Sequence, residues 1–146
     1  MSVPKSERDI STKEFVEMYF LMYDKVTDSV EVHFRVSDIE YEQHKIYIDT
    51  NSKDLYSLCD EILKQIRLSE ACAENKALQY IKERSLTLYL TKAIGLCYTL
   101  LSQYQLILRK LHVNDDDFIE NIKSIINLKE SLENSRDFVN EDLLKR

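Results

Sequence analysis

Residues 74–111 read ENKALQYIKERSLTLYLTKAIGLCYTLLSQYQLILRKL. Leu78, Ile81, Leu86, Tyr89, Ala93, Leu96, Leu100, Tyr104, Ile107 and Leu111 recur at steps of three to five residues, the spacing of one helical face. At 1.5 Å per residue the segment makes a helix about 57 Å long. Leu90, Ile94, Cys97, Leu101 and Leu108 form a second line, rotated by about 100° from the first, and Leu88, Tyr98 and Leu106 widen it. A helix that is apolar nearly all round is normally covered on most sides. Two readings follow: a subunit interface on this helix, in a ring or a dimer, with Leu90, Ile94, Leu101 and Leu108 as its residues, or a second and a fourth helix splayed to cover the surplus, with scattered Leu and Tyr left exposed. Gly95, the single glycine, is expected to mark a close crossing with a neighbouring helix.

Outward from this segment the same period continues. The chain has 146 residues with 1 glycine and 1 proline, against about ten and seven at average usage. It lacks the turn residues that a fold of many strands needs. Ser11-Thr12-Lys13-Glu14 has the form of a capping box, so a first helix is expected from Thr12 to about Arg35, with Phe15, Tyr19, Met22, Val26, Val30 and Phe34 on its buried face.

Ser37-Asp38-Ile39-Glu40 repeats the capping pattern ahead of Tyr41, Ile48, Leu55, Leu58, Ile62 and Ile66. The second helix starts at Asp38 or, if residues 45–51 form a loop, near Ser52. It reaches about Leu68 in either case. A turn at residues 112–115 follows the long helix, with Asn114 or Asp115 as cap and the acids of 115–117 on the positive end of the helix dipole. A fourth helix presents Phe118, Ile122, Ile125, Leu128 and Leu132 and its pattern fades after Asn134, the last residues being either a frayed continuation or a short extra turn.

Four helices with short connections predict an all-α fold, an antiparallel up-down-up-down four-helix bundle with a long third helix. A Bcl-2-like set of more and shorter helices would need more breaks. The expected divisions are a flexible arm over 1–10, the bundle over 11–134 and a polar tail over 135–146. No stretch approaches the roughly 18 uninterrupted apolar residues of a membrane span, and no secretory leader is visible. A cytoplasmic protein without membrane contact is expected.

Catalytic chemistry is not apparent. Cys59, Cys72 and Cys97 match neither a CxxC metal pair nor a disulfide framework. Within amphipathic helices they read as packing residues. Glu40 stands four residues before His44, but a di-iron bundle site uses Glu-x-x-His twice with two further glutamates. The acids at 115–117 lack the spacing of a calcium loop. Hence no catalytic residue, metal ligand or cofactor is expected, and the chain reads as a non-enzyme. With 26 acidic and 20 basic residues, its net charge of −6 works against non-specific attraction to phosphate. Lys5, Arg8, Arg109 and Lys110, with His112, Lys145 and Arg146, are the cations that could gather at one end to meet a partner or RNA. A plainer role for Arg109 and Lys110 is to complement the negative end of the helix dipole.

The head MSVPKSER holds the only proline, Pro4, and the cations Lys5 and Arg8. Its first six residues, with four helices, a long third helix and a polar tail, resemble the bacterial and phage four-helix-bundle proteins related to the accessory variability determinant (Avd) of diversity-generating retroelements. Beyond residue 6 the likeness is one of layout: Glu14-Phe15 opening the first helix, Leu100-Leu101-Ser102 in the core, and a helix beginning shortly after Leu111. The resemblance implies a ring-forming, non-catalytic homo-oligomer that associates with a reverse transcriptase and its template RNA. RNA-binding members are basic on the fourth helix and tail, where this chain has Glu130, Glu133, Asp137, Glu141 and Asp142. Direct RNA contact stays open on that ground, because phosphate binding requires clustered cations. An acidic protein-binding bundle of a phage or mobile element, with no nucleic-acid role, is the other reading.

Overall fold

The computed structural model describes residues 12–74, 79–113 and 115–144. They are all-helical, in five packed α-helices: α1 (Lys13–Glu31), α2 (Asp38–Gln43), α3 (Lys45–Glu74), α4 (Gln79–Lys110) and α5 (Asp115–Leu144), with a single turn at His33–Arg35 between α1 and α2. The expected arm over 1–10 and the Ser11 cap lie outside the described residues, as do Leu78, Asn114, Lys145 and Arg146.

Helical spacing puts one stripe of each long helix into a shared core. Phe15, Tyr19, Met22, Val26 and Val30 from α1 meet Ile48, Leu55, Cys59, Ile62 and Ile66 from α3 and Phe118, Ile125, Leu128 and Leu132 from α5. From α4 come Leu86, Leu90, Ala93, Cys97, Leu100, Tyr104 and Ile107. The longest seams join α3 to α4 and α4 to α5, with α1 resting on α5 and more lightly on α3. Cross-helix hydrogen bonds lock these seams. Tyr19 donates to the Cys59 carbonyl at 2.8 Å, the Gln103 amide donates to the Asn51 carbonyl oxygen, and Thr87 donates to Asn140 at 3.2 Å.

The structure corrects several boundaries. The first helix stops at Glu31, because His33, Phe34 and Arg35 have φ of 52°, 57° and 57°, which no right-handed helix accommodates. Left-handed backbone costs an L-residue about 1–2 kcal/mol, and tertiary contacts hold it here. Phe34 is buried, the His33 ring lies 4.1 Å from the Tyr41 ring, and Arg35 pairs with Asp117 at 2.7 Å.

The second helix begins neither as one continuous rod from Asp38 nor at Ser52. Ser37 does cap it, accepting from the Glu40 N–H at 3.1 Å. Then α2 ends after six residues, and α3 starts anew at Lys45. The break falls at His44, whose φ of −121° and ψ of 26° leave the helical basin. At the other end, the segment expected as a polar tail from residue 135 continues α5 to Leu144. Val139 is buried there, and Asn140 bonds back to α4. Val139 stands seven residues after Leu132 and keeps its stripe, but Ser135 and Arg136 occupy the turn between them, and that polar gap hid the continuation.

Gly95 is exposed, and a Cβ added there would have nothing within 4 Å. Among the described residues no helix crosses α4 closely at that point, contrary to the expectation from sequence.

Candidate functional site

The candidate residues on α4 divide between its core-facing side and its exposed C-terminal end. Leu90 and Ile94 are 0 % and 4 % exposed. They belong to the chain's own core and do not line an outward interface. The reason is geometric: α4 is wedged between α3 and α5, which cover a wider arc of it than one neighbour could. Leu101 is half-buried against the core. Of the four proposed interface residues only Leu108 is exposed, at 44 %. The exposed apolar side chains are instead Leu88, Tyr98 and Leu106, each more than half exposed. They share the side of α4 on which Gly95 lies open.

Arg109 and Lys110 close α4 and are exposed, where they complement the negative end of its dipole. The Lys110 ammonium stands 5.9 Å from the centre of the Tyr47 ring. Lys110 and Tyr47, with Glu42, His44, Lys45 and Ile46, line an open cleft of about 710 Å³ between this end of α4 and the start of α3. Lys5 and Arg8, the other candidate contacts, lie outside the described residues.

Acids meet the cations at this end of the molecule. Glu40 of α2 accepts the His112 backbone N–H at 2.8 Å and faces its Nδ1 at 3.1 Å. The backbone donor, chiefly, holds the Glu40 carboxyl below its ordinary range. Glu40 thus spans to His112, and His44 bonds through its own backbone N–H to the Glu40 carbonyl at 3.0 Å.

Further along, Lys129 pairs with Glu133 at 2.7 Å and stands 5.0 Å from the Tyr98 ring centre. Its ammonium pKa is raised by the hydrogen bond to Glu133.

Nucleophilic chemistry finds no support in the thiols. Burial pushes Cys59 and Cys97 up to about 12, so both stay protonated near neutrality and are poor nucleophiles. Among the described residues no cluster of three or more His, Cys, Asp or Glu side chains could hold a metal ion.

Sequence reasoning missed a buried polar contact: Asn121 of α5, 3 % exposed, donates to the Ser29 hydroxyl of α1. Its amide also lies 3.5 Å from the Tyr104 hydroxyl, whose pKa burial raises. A polar residue four positions before Ile125 on an otherwise apolar stripe was the available signal. Among the described residues no helix is long and apolar enough to cross a membrane. Comparison with protein-family models, curated proteins and solved structures returns no match.

Proposed function

We propose that the chain is a non-enzymatic, self-associating helical accessory protein, an Avd-like subunit that binds a reverse transcriptase and its template RNA in the cytoplasm. In this reading α1, α3, α4 and α5 form an antiparallel up-down-up-down bundle. The order of the cross-helix contacts supports that topology. Along α4 the residues Thr87, Tyr98 and Tyr104 meet Asn140, Lys129 and Asn121 of α5, in descending order. Gln103, late in α4, likewise meets Asn51, early in α3.

The observation that carries the reading is the outer side of α4. This helix already supplies core residues to two neighbours, yet it exposes Leu88, Tyr98 and Leu106 on the side where Gly95 lies open. Single exposed apolar side chains are ordinary on any surface. A set of them along one helix makes the kind of patch that a subunit or partner covers. The protonated thiols of Cys59 and Cys97 support a non-catalytic role.

A second reading, an acidic protein-binding bundle with no nucleic-acid role, draws on the charge. Arg35 and Lys129 are engaged with Asp117 and Glu133, and Asp38, Glu40 and Glu42 stand on α2 close to the basic end of α4. These acids reduce the potential that would attract phosphate.

Co-expression of the tagged chain with a reverse transcriptase and template RNA from its own genetic locus tests both. The first reading expects the polymerase and its RNA to co-purify, and recovery of neither would overturn it. Recovery of a protein partner that resists nuclease, with no RNA bound, supports the second.

A further inference from the structure

The charge on α4 is unlike that of the rest of the chain. From Arg84 to Lys110 there is no acidic residue, and the charged side chains are Arg84, Lys92, Arg109 and Lys110, in a protein of net charge −6. All four are exposed. Between Lys92 and Arg109 the outward positions Gly95, Tyr98, Thr99, Ser102 and Leu106 carry no charge, so an uncharged strip about 26 Å long is bracketed by cations.

The outer side of α1 is the inverse of this strip. Phe20 and Leu21 are exposed at its middle, 41 % and 56 %, and exposed carboxylates surround them: Glu14 and Glu17 before, Asp24, Asp28 and Glu31 after. Glu14 and Glu31 stand the same 17 residues apart as Lys92 and Arg109, which is again about 26 Å of helix. Lys13 and Lys25 offset part of the negative charge on α1, which remains acidic. Among the described residues none of Glu14, Glu31, Lys92 and Arg109 makes an ion pair within the chain.

Within one chain the two faces cannot meet, because α1 packs on α5 and α3 and α4 packs on the same two helices. We propose that the outer face of α4 receives the outer face of α1 from a second copy of this chain, its apolar centre seated on the strip at Gly95 and its terminal acids on Lys92 and Arg109. The open space at Gly95 suits this contact, since the missing Cβ lets a large side chain approach the helix backbone. Because two different faces join, each copy offers both, and the assembly closes as a ring or continues as a chain. This inference rests on the self-association proposed above and adds which surfaces carry it.

Charge reversal with complementation tests the proposal. Light scattering of the wild type at micromolar concentration should give an assembly larger than the 17.3 kDa chain, weakened by raising salt to about 1 M, where screening shortens to about 3 Å. Lys92→Glu with Arg109→Glu should reduce it to a single chain, as should Glu14→Lys with Glu31→Lys. Mixing the two double variants makes both contacts complementary again, and the assembly should return with alternating subunits. All four substituted positions, two in each double variant, are exposed, so circular dichroism should report intact helices. An assembly of unchanged size in both double variants would overturn the pairing of these faces while leaving self-association standing. A wild type that scatters as a single chain would remove self-association and this contact together.

Discussion

The Glu40 carboxylate accepts the backbone N–H of His112 at 2.8 Å and faces the same residue's Nδ1 at 3.1 Å, tying α2 to the connection between α4 and α5. Two segments far apart in sequence are joined by one side chain. Without it, α2, which buries no residue fully, would be held mainly by the stack of His33 on Tyr41 and by the bond from the Tyr41 hydroxyl to Asp49 at 3.2 Å.

This contact sets a pH dependence. The His112 backbone donor lowers the Glu40 pKa from its ordinary 4.5. A carboxyl depressed in the folded state contributes stability that is present above the unfolded value and is lost as pH falls through the folded one. Urea midpoints measured from pH 7 down to pH 3 should therefore fall less steeply below about 4.5 in Glu40→Gln than in the wild type. At pH 7 the substitution should cost about 1 kcal/mol, one hydrogen bond to a charged acceptor at a partly solvated site. Parallel curves for the two proteins would show that the contact contributes nothing.

The left-handed turn makes a prediction about residue order at Phe34. Truncation to alanine removes a buried ring and should cost about 3 kcal/mol. Glycine ordinarily does worse than alanine, but at φ of 57° it escapes the penalty for L-residues, so Phe34→Gly should be about 1 kcal/mol more stable than Phe34→Ala. Chemical denaturation of both variants decides it. The usual order, alanine above glycine, would mean that the turn is relaxed in solution.

Two positions on α4 separate its inner from its outer side. Leu100 is fully buried, and Leu100→Ala should cost about 2–5 kcal/mol. Gly95 has open space where its Cβ would go, so Gly95→Ala should gain about 1 kcal/mol from helix propensity alone. The two midpoints should move in opposite directions. A loss at Gly95 under conditions where the chain is monomeric would contradict the open geometry.

Thiol labelling reads the same packing without mutation. Cys59 and Cys97 are buried with pKa values pushed up to about 12, whereas Cys72 is half-buried. Under native conditions at pH 8, one thiol should react with a disulfide reagent well before the other two, and peptide mapping should place it at Cys72. The remaining two should follow only at the rate of opening or unfolding. Equal rates at all three cysteines would show that the core around Cys59 and Cys97 is open.

Where spacing controls the outcome, the sequence was legible. Phe15, Tyr19, Met22, Val26 and Val30 are buried in α1 as the period requires, and Leu86, Ala93, Leu100, Tyr104 and Ile107 are buried in α4. The Ser37 cap was readable too, because a hydroxyl three residues before Glu40 acts within one turn of chain. These are local properties: they need only the helix repeat and nearest neighbours.

The arc of α4 that is covered could not be read that way. Leu90 and Leu108 both belong to the second apolar line, yet the first is buried and the second exposed, because how far α3 and α5 wrap around α4 depends on all three helices at once. The turn at His33, Phe34 and Arg35 contains no glycine or proline to announce it, and its left-handed backbone is held by Tyr41 and Asp117 from other elements. Helical periodicity by itself determined which residues this protein can bury. Only the tertiary structure decided how much of each stripe is covered and where the chain bends, since long-range contacts there outweigh local backbone preference.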